Sequence, residues 1–396
     1  MIAFDEALAL IAATARPLGE ENVAVRDAAG RVLAKPVRAE VDSPPADASA
    51  MDGYAVRSAD LELLPARLTL VSENFAGTPE PGSIAPGECA RIFTGGPIPH
   101  GADRIVIQEE VKREGSEALF TQALSANRHV RERANDFARG DQLLATGSML
   151  GPRQLVAAAA ADAGEVTCWR RPQVELLVTG DELEEPGFAR HRRGAIPESV
   201  SVGLAAMVEQ FGGQVTATTR VADDLAALEG AAAQAVGRSD LVLVSGGASV
   251  GERDFAKLMF RPLGLDLIFD KVAIRPGKPV WLGRVKGKLA LGLPGNPTSA
   301  LVTARLFLAP LLSQMVGRDP GTALNWQTRK LGGAIAATGA RETFVRARLG
   351  SDGAAHPLGN QHSSAQHALA EADLLVRCAP GSAAMPEGAE VETLAF

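Results

Sequence analysis

The residues best suited to chemistry in this chain are glycines and hydroxyls that follow a short apolar run. Residues 241–244 lead into Ser245-Gly246-Gly247-Ala248-Ser249-Val250-Gly251, whose glycines can turn several backbone N–H groups toward one anion. The loop could equally be a tight connection without a ligand, because a Gly-rich turn alone is a weak signal. It is not a G-x-x-x-x-G-K-[ST] loop, so the sequence does not indicate nucleotide hydrolysis.

Three cations follow close behind this loop. Lys271 and Arg275 are four positions apart and project from the same face of a strand, and Lys278 follows a Pro-Gly turn. Such residues could merely protect an exposed edge strand. Beside Gly-rich turns, they favour a polyanion site.

A second anion seat is predicted at Pro294-Gly295-Asn296-Pro297. The asparagine can cap a helix whose first residue is the proline. That arrangement would leave the backbone N–H groups of Thr298 and Ser299 free for an anion.

Carboxylates in or next to turns complete the set of candidate residues, namely Asp52, Asp136, Glu182, Asp223 and Asp254. Carboxylates mixed with cations are what a divalent cation bound to a substrate phosphate requires. Simpler interpretations remain open, because Asp52 could belong to a turn before a strand, and the pair Asp223-Asp224 could cap a helix. The chain has no zinc-type His/Cys spacing, which argues against zinc chemistry.

The bulk composition limits the possible partners. The chain has 396 residues, 46% of them hydrophobic, and a formal charge of −7, which argues against nucleic acid as a partner. We found no apolar run of about 18 residues and no basic leader, so we expect no membrane segment and a cytoplasmic location. The three cysteines, Cys89, Cys168 and Cys378, are far apart and are expected to be buried thiols.

The elements that must position these residues form an alternating α/β pattern in the middle of the chain. We predict strands at 174–179, 214–220, 240–245, near 266–274 and at 288–293, with helices at 199–211, 224–237, 253–262 and 297–316. In a parallel sheet, the turns at the carboxyl ends of the strands lie along one edge, where ligands bind.

The whole chain is predicted to be a multidomain α/β plus β protein, with a central doubly wound, mostly parallel sheet. The boundaries divide it into an N-terminal linker domain of helical and β structure (1–40 and 138–172), a small β-domain (41–137), the α/β domain (173–319) and a small C-terminal β-domain (320–396). The prediction of separate β-domains is based on short strands that are separated by Gly and Pro turns.

Six motifs occur here in the order and at roughly the spacing of one family: Met51-Asp52-Gly53-Tyr54-Ala55, Phe93-Thr94-Gly95-Gly96-Pro97, Thr179-Gly180-Asp181-Glu182-Leu183, the 245–251 loop, Pro276-Gly277-Lys278-Pro279 and Leu293-Pro294-Gly295-Asn296-Pro297. With these motifs the chain resembles the molybdopterin molybdenumtransferases, the MoeA family, and is similar to the gephyrin E-domain. The resemblance covers essentially the whole chain.

The resemblance implies insertion of molybdate into adenylylated molybdopterin with release of AMP, dependent on a divalent cation, here Mg²⁺. It further implies a homodimer whose active site lies between protomers, with Asp52 and Thr94 contributed by the partner. By the same resemblance, Asp136, Glu182, Asp223 and Asp254 organise metal and molybdate, and Lys271, Arg275 and Lys278 clamp the anion. The resemblance also places pathway proteins or client molybdoenzymes among the possible partners.

The chain departs from the family pattern at three places. Residues 196–200 end in Val200, where the family has an asparagine. Ala134-Asn135-Asp136 replaces the usual Gly-Glu-Asp of the family. Residues 360–364 replace a turn that is richer in glycine in the family. A second hypothesis is therefore a protein of the same fold that binds and delivers the finished cofactor, and a third is an enzyme that uses tungstate. On this basis Val200→Asn is expected to raise insertion activity.

Overall fold

The computed structural model describes residues 1–246 and 255–396. Packing divides the chain into two compact units. The smaller consists of Asn22–Ala29 and Lys35–Thr167, and the larger of Met1–Glu21, Gly30–Ala34 and Cys168–Phe396. The chain therefore passes between the units more than once, and two strands, Glu20–Ala24 and Glu165–Trp169, cross the boundary.

The smaller unit is built on one six-stranded sheet. Its strands, in spatial order, are Arg104–Ile107, Gly53–Val56, Glu88–Ile92, Ala66–Asn74, Glu117–Phe120 and Val111–Glu114. The pairings are antiparallel except between Ala66–Asn74 and Glu88–Ile92. Two short antiparallel pairs, Val37–Arg38 with Gln142–Leu144 and Ala48–Ser49 with Val130–Arg131, and the helix Pro152–Ala160 belong to the same unit. The short β-units expected from the Gly and Pro spacing are therefore present.

The larger unit contains the predicted central sheet. Its strands, in spatial order, are Gln214–Val221, Gln173–Thr179, Leu241–Ser245, Lys288–Leu293, Trp281–Val285 and Asp266–Phe269. The first four are parallel, and the last two are antiparallel to their neighbours. Leu241–Ser245 is buried throughout, as a continuous apolar run in the middle of a parallel sheet should be.

Helices cover this sheet close to their predicted positions, at Val200–Gln210, Leu225–Arg238 and Phe255–Leu258. The predicted helix at 253–262 begins outside the described residues and continues after Leu258 only as the short 3-10 turn Arg261–Leu263. Pro297–Thr303, a π-helical turn Ala304–Leu308 and Ala309–Met315 follow one another without interruption and replace the predicted helix at 297–316.

The sequence interpretation missed the strand Trp281–Val285. It forms a hairpin with Lys288–Leu293, joined by the two-residue turn Lys286-Gly287, and both turn residues have positive φ. A two-residue loop that ends in glycine between two apolar runs is a strong hairpin signal. The antiparallel end of the sheet could therefore have been predicted.

A second sheet forms the C-terminal domain. Its strands, in spatial order, are Ile274–Arg275, Glu342–Leu349, Leu374–Cys378, Glu390–Ala395 and Gln327–Lys330, with Ala355–Pro357 paired to Glu342–Leu349. Helix Gln366–Ala370 lies between two of these strands in the chain. The edge strand Ile274–Arg275 comes from within the α/β domain, so this sheet links the two domains.

The first helix, Phe4–Thr14, lies in the larger unit. Phe4, Ala7 and Ile11 are buried in the core of the larger unit, where the Phe4 ring packs edge-on against Phe307 and Phe344. The helix therefore adds apolar surface to the core shared by the α/β and C-terminal domains.

The three cysteines are free and buried, as predicted. Burial raises the pKa of Cys89 to about 12 and that of Cys378 to about 11, so both stay protonated at neutral pH. Among the described residues, we found no helix with the length and apolar character that membrane crossing demands.

Candidate active site

Glycines at the carboxyl edge of the central sheet allow neighbouring turns to pack closely. Gly246 has φ +98°, and a Cβ there would lie 2.4 Å from the carbonyl oxygen of Thr179. A Cβ on Gly295 would lie 3.2 Å from the Cα of Gly246. The turns after three adjacent parallel strands therefore meet at this edge, as the sequence predicted, because both glycines lack side chains.

The turn that carries two of the predicted cations is fixed by a third glycine. Gly277 has φ +102°, and a Cβ there would lie 2.0 Å from the methyl carbon of Thr303. The Thr303 hydroxyl in turn donates hydrogen bonds to the carbonyls of Ser299 and Ala300. Close packing of Gly277 on this helix places Arg275 and Lys278 on either side of the turn, both exposed.

A cavity of about 820 Å³ opens beside this turn, between the α/β domain and the C-terminal sheet. Its volume is in the range of small-molecule sites, roughly 300–1,000 Å³. Arg275, Lys278, Arg341 and Arg346 all line it, and its described lining includes no aspartate or glutamate. A cavity with four cations and no described carboxylate is suited to a multiply charged anion.

Arg346 is the most deeply buried of these cations, with 1% of its surface exposed. Its guanidinium donates to the carbonyl oxygens of Asn360 and His362 at 3.0 and 3.1 Å and, more weakly, to that of Ala365 at 3.4 Å. Burial lowers the pKa of Arg346. The arginine carries positive charge to the cavity wall and orders the loop that follows it.

The same loop corrects the predicted second anion seat. Asn296 occupies the position before the helix, and Pro297 is its first residue, but the Asn296 side chain makes no capping hydrogen bond. The Thr298 N–H is not free, because it donates to the carbonyl oxygen of Ser363 at 3.1 Å. The C-terminal domain supplies that acceptor and is remote in sequence, which is why local helix-capping rules could not reveal it. Ser299, at the next position, lines the cavity and stays available as a binding residue.

Asp52 and Thr94, predicted as a pair, lie together in the smaller unit. One Asp52 carboxylate oxygen accepts hydrogen bonds from the Thr94 backbone N–H at 2.7 Å and from the Thr94 hydroxyl at 2.8 Å. These two bonds hold the pKa of Asp52 below its usual value, so the carboxylate is ionised at neutral pH. The turn therefore presents a fixed negative charge.

Three of the four predicted metal ligands, Asp136, Glu182 and Asp223, lie in the described part of the chain. Asp136 lies in the smaller unit, where its N–H donates to the Ser43 carbonyl, and Glu182 is exposed beside Gly180 in the larger one. The Asp223 N–H donates to a carboxylate oxygen of Asp181 at 3.1 Å. Among the described residues, no three His, Cys, Asp or Glu side chains converge as metal ligands. Asp224, by contrast, caps its helix through Ala227, as the simpler interpretation expected.

The remaining predicted residues fall into three groups. Ser245 is buried as the last residue of its strand, and Pro294 is buried in the turn that follows the neighbouring strand. Lys271 does not line the cavity, and its carbonyl accepts a hydrogen bond from the N–H of Ile2. The remaining residues, Gly247, Ser249, Gly251 and Asp254, lie outside the described part of the chain.

Val200 does not face a ligand, contrary to the sequence hypothesis. It is 6% exposed and packs in the main core at the first turn of its helix. Glu198 caps that helix, accepting hydrogen bonds from the N–H groups of Val200 and Ser201 at 2.8 and 2.9 Å. The structural reason to expect a gain from an asparagine here disappears, and with it the main support for the delivery hypothesis.

The sequence interpretation missed Arg341, Arg346 and Ser363 and named Ser299 only for its backbone N–H, although all four residues line the cavity. A usable signal was present at Arg346, since an arginine between Val345 and Ala347 breaks an apolar strand. Burying such a charge is costly unless a partner or ligand meets it. Arg341 and the two serines had no comparable local signal.

Three family models together match almost the whole chain. Residues 2–162 match the MoeA N-terminal region (domains I and II), residues 175–314 a probable molybdopterin binding domain, and residues 328–396 the MoeA C-terminal region (domain IV). The order of the three matches is the order of the domains described above.

Curated relatives and solved structures agree with these matches. The chain is 35% identical to the molybdopterin molybdenumtransferase of Haemophilus influenzae over 76% of this chain and 74% of the relative. It is 34% identical to the one from Synechococcus elongatus over 90% of this chain and 89% of the relative. The crystal structure of a molybdopterin biosynthesis MoeA protein from Pyrococcus horikoshii superposes with a TM-score of 0.86 at 29% identity, covering 100% of this chain and 99% of that one. The chain belongs to the molybdopterin molybdenumtransferase (MoeA) family.

Proposed function

We propose that this protein inserts molybdenum from molybdate into adenylylated molybdopterin and releases AMP, as a transferase of molybdenum cofactor biosynthesis. The observation that carries the proposal is the cavity with four cations and no described carboxylate. Molybdate is a tetrahedral dianion, and a site built to concentrate it needs positive charge that no acidic side chain already neutralises. Family membership supports the reaction, and the charge of the cavity supports it as the site proposed for the anionic substrate.

The side chains of the cavity would bind and orient the oxyanion. Arg275 and Lys278 offer exposed cationic groups, and Arg346 adds a buried positive charge to the cavity lining. The Ser299 hydroxyl can donate to an oxyanion oxygen. Because a partly enclosed cavity screens charge less than bulk water does, these contacts would attract the anion more strongly than they would at an open surface.

The adenylylated pterin is proposed to bind along the carboxyl edge of the central sheet. Gly246 and Gly295 bring neighbouring turns together there. The helix Pro297–Thr303 begins directly after the Gly295 turn, and its residue Ser299 lines the cavity, so this helix connects the edge to the cavity. Phosphate groups bind readily to backbone N–H groups of glycine turns at such an edge. The two substrates would then lie at adjoining places.

Asp52 and Thr94 are proposed to act from the partner of a homodimer. The hydrogen-bonded pair lies in the smaller unit, while the cavity lies in the larger. Mixing Asp52→Ala protein with Lys278→Ala protein, at a molybdate concentration where each alone has low activity, tests this, because only a shared site regains activity in the mixed dimer. No recovery in subunit-exchanged mixtures would show that each site is complete within one chain.

Mg²⁺ is proposed as the divalent cation, bound with the help of substrate phosphates. The described carboxylates do not form a magnesium site alone, and phosphate oxygens are common Mg²⁺ ligands. Activity should disappear with EDTA and return with added Mg²⁺. Full activity in EDTA would remove the metal from the account.

An insertion assay with purified protein, adenylylated molybdopterin, Mg²⁺ and molybdate tests the main proposal. Wild type should produce the molybdenum cofactor and AMP in equal amounts. Lys278→Gln should raise the KM for molybdate by about tenfold, equal to about 1.4 kcal/mol of binding, whereas Arg284→Gln, an exposed cation away from the cavity, should behave as wild type. A protein that binds the finished cofactor but forms neither product would instead be a delivery protein.

A further inference from the structure

A short parallel strand pair joins the α/β domain to the C-terminal domain beside the cavity. Ile274 pairs with Glu342, and Arg275 pairs with Thr343. The Glu342 N–H donates to the Ala273 carbonyl at 2.9 Å. Because the α/β domain contributes only two residues to this pair, the strand pairing by itself supplies few hydrogen bonds between the domains.

Two arginines flank this junction, one from each domain. Arg341 immediately precedes Glu342–Leu349, and its guanidinium donates to the Ile274 carbonyl at 3.3 Å, which brings it to the strand that carries Arg275. Both arginines line the cavity. Within the described residues, neither has an ion pair with an acidic side chain. Two like charges therefore face one cavity across a domain junction.

Glu342, next to Arg341 in the chain, forms a structural ion pair at this junction. Glu342 is not among the residues that line the cavity, and it accepts a hydrogen bond from Arg377, which also contacts Asp5 of the first helix at 2.9 Å. Arg341 has five N–H donors, and one weak contact to a carbonyl oxygen leaves most of them unused. Because Arg341 is half-buried and lines the cavity, these donors are available to an anion bound there.

We propose that Arg341 is a further binding residue for the oxyanion, and that an anion held between Arg275 and Arg341 fastens the C-terminal domain to the α/β domain. The inference rests on the proposed function for the identity of the anion, molybdate. A dianion between two guanidinium groups converts a repulsion into two charge-assisted attractions. Since a ligand that binds the joined state stabilises it by mass action, molybdate should raise the stability of the junction.

Direct binding and thermal unfolding test the proposal on the full chain. Molybdate affinity is measured by calorimetry, and unfolding temperature is measured with molybdate or with sodium chloride at equal ionic strength. Wild type should bind and be stabilised by molybdate. Arg341→Ala should bind at least tenfold more weakly and lose most of that stabilisation, and Arg341→Lys, which keeps the charge but not the paired donors, should fall between them.

Arg348→Ala is the matched control, because Arg348 lies on the same strand but pairs with Glu371 and does not line the cavity. It should match wild type in molybdate affinity. Hydrogen exchange of the peptide that contains Glu342 and Thr343 reports the junction itself. Molybdate should slow that exchange in wild type and in Arg348→Ala, but not in Arg341→Ala.

Wild-type affinity in Arg341→Ala, or equal molybdate protection of that peptide in Arg341→Ala and wild type, would overturn the proposal. So would a wild type that molybdate does not stabilise. If Arg341→Ala is unfolded by circular dichroism, Arg341→Lys decides, and wild-type affinity in that variant overturns the role of the paired donors. Binding that depends on Arg341 in a protein with no insertion activity would refute the proposed function and leave this inference standing.

Discussion

Two of the places where cations gather in the described part of the larger unit differ in the partners of those cations. At the amino ends of the parallel strands, Asp240 is 7% exposed and accepts hydrogen bonds from Arg170, Lys288 and the Gln173 N–H. At the cavity, Arg275 and Lys278 are exposed and have no described acidic partner. The cations with carboxylate partners hold the sheet together, and we propose that the cations without such partners bind a ligand.

A second buried carboxylate of the larger unit is also paired with an arginine. Glu175, 1% exposed, receives two hydrogen bonds from Arg238 at 2.8 and 3.1 Å, in the bidentate geometry that suits an arginine. Burying a carboxylate alone would be costly, and the arginine offsets that cost. Charges of this kind are part of the fold, so their removal should reduce stability before it reduces activity.

The largest effect is expected from Asp240→Ala, which breaks the paired side. It leaves Arg170, Lys288 and the Gln173 N–H without their acceptor, and should lower the free energy of unfolding by about 3 kcal/mol, at the low end for a buried pair because both cations are partly exposed. Urea denaturation measures this change. A loss below about 1 kcal/mol would show that the pairing contributes little to the sheet.

Val200→Asn should have the next largest effect on stability, and it tests the apolar core of the larger unit. The amide would enter an apolar cluster with no partner, at a cost of about 2 kcal/mol in unfolding free energy. Insertion activity should not rise. An increase in turnover without a loss of stability would restore the original sequence hypothesis that this position faces substrate.

Lys278→Gln and Arg275→Gln should change stability least, which sharpens the contrast with Asp240. Both side chains are exposed and lack described acidic partners, so the unfolding free energy without ligand should stay within about 0.5 kcal/mol of wild type. The same urea titration measures it. A loss as large as that of Asp240→Ala would mean that the cavity cations are structural after all.

The smallest expected effect is on the pH dependence of stability. Burial raises the pKa of Asp240, but hydrogen bonds from Arg170, the Gln173 N–H and Lys288 outweigh it, and the folded-state pKa is below the ordinary value of 3.8. Its stabilising contribution is therefore present above about pH 4 and is lost as pH falls through the folded-state pKa. Asp240→Asn should lose less stability than wild type on acidification below pH 4. Parallel losses would show that Asp240 does not drive this dependence.

Much of the fold could be predicted because its signals are local. Leu241–Ser245 is a continuous apolar run before glycines, and Asp224 precedes an amphipathic helix that it indeed caps. The hairpin strand Trp281–Val285 was overlooked despite its turn signal. These features depend on neighbours in sequence, which is why sequence patterns can reveal them.

The site was less predictable because it depends on residues far apart in the chain. Arg275 and Lys278 were found from spacing, but Arg346 reaches the cavity from another domain, and Thr298 gives its N–H to Ser363. No local sequence pattern predicts that residues so far apart in the chain will be in contact. Val200 shows the converse: a position matched to a family motif was assigned a ligand contact, whereas its side chain packs in the core.

The central claim is that the unpaired cations hold the oxyanion substrate. Its most direct test is crystallography of the protein with molybdate, using anomalous scattering at the molybdenum absorption edge. The account predicts an anomalous peak inside the cavity, within contact distance of Arg275, Lys278 or Arg346. A molybdenum peak elsewhere, with the cavity empty in a protein that inserts molybdenum, would contradict it.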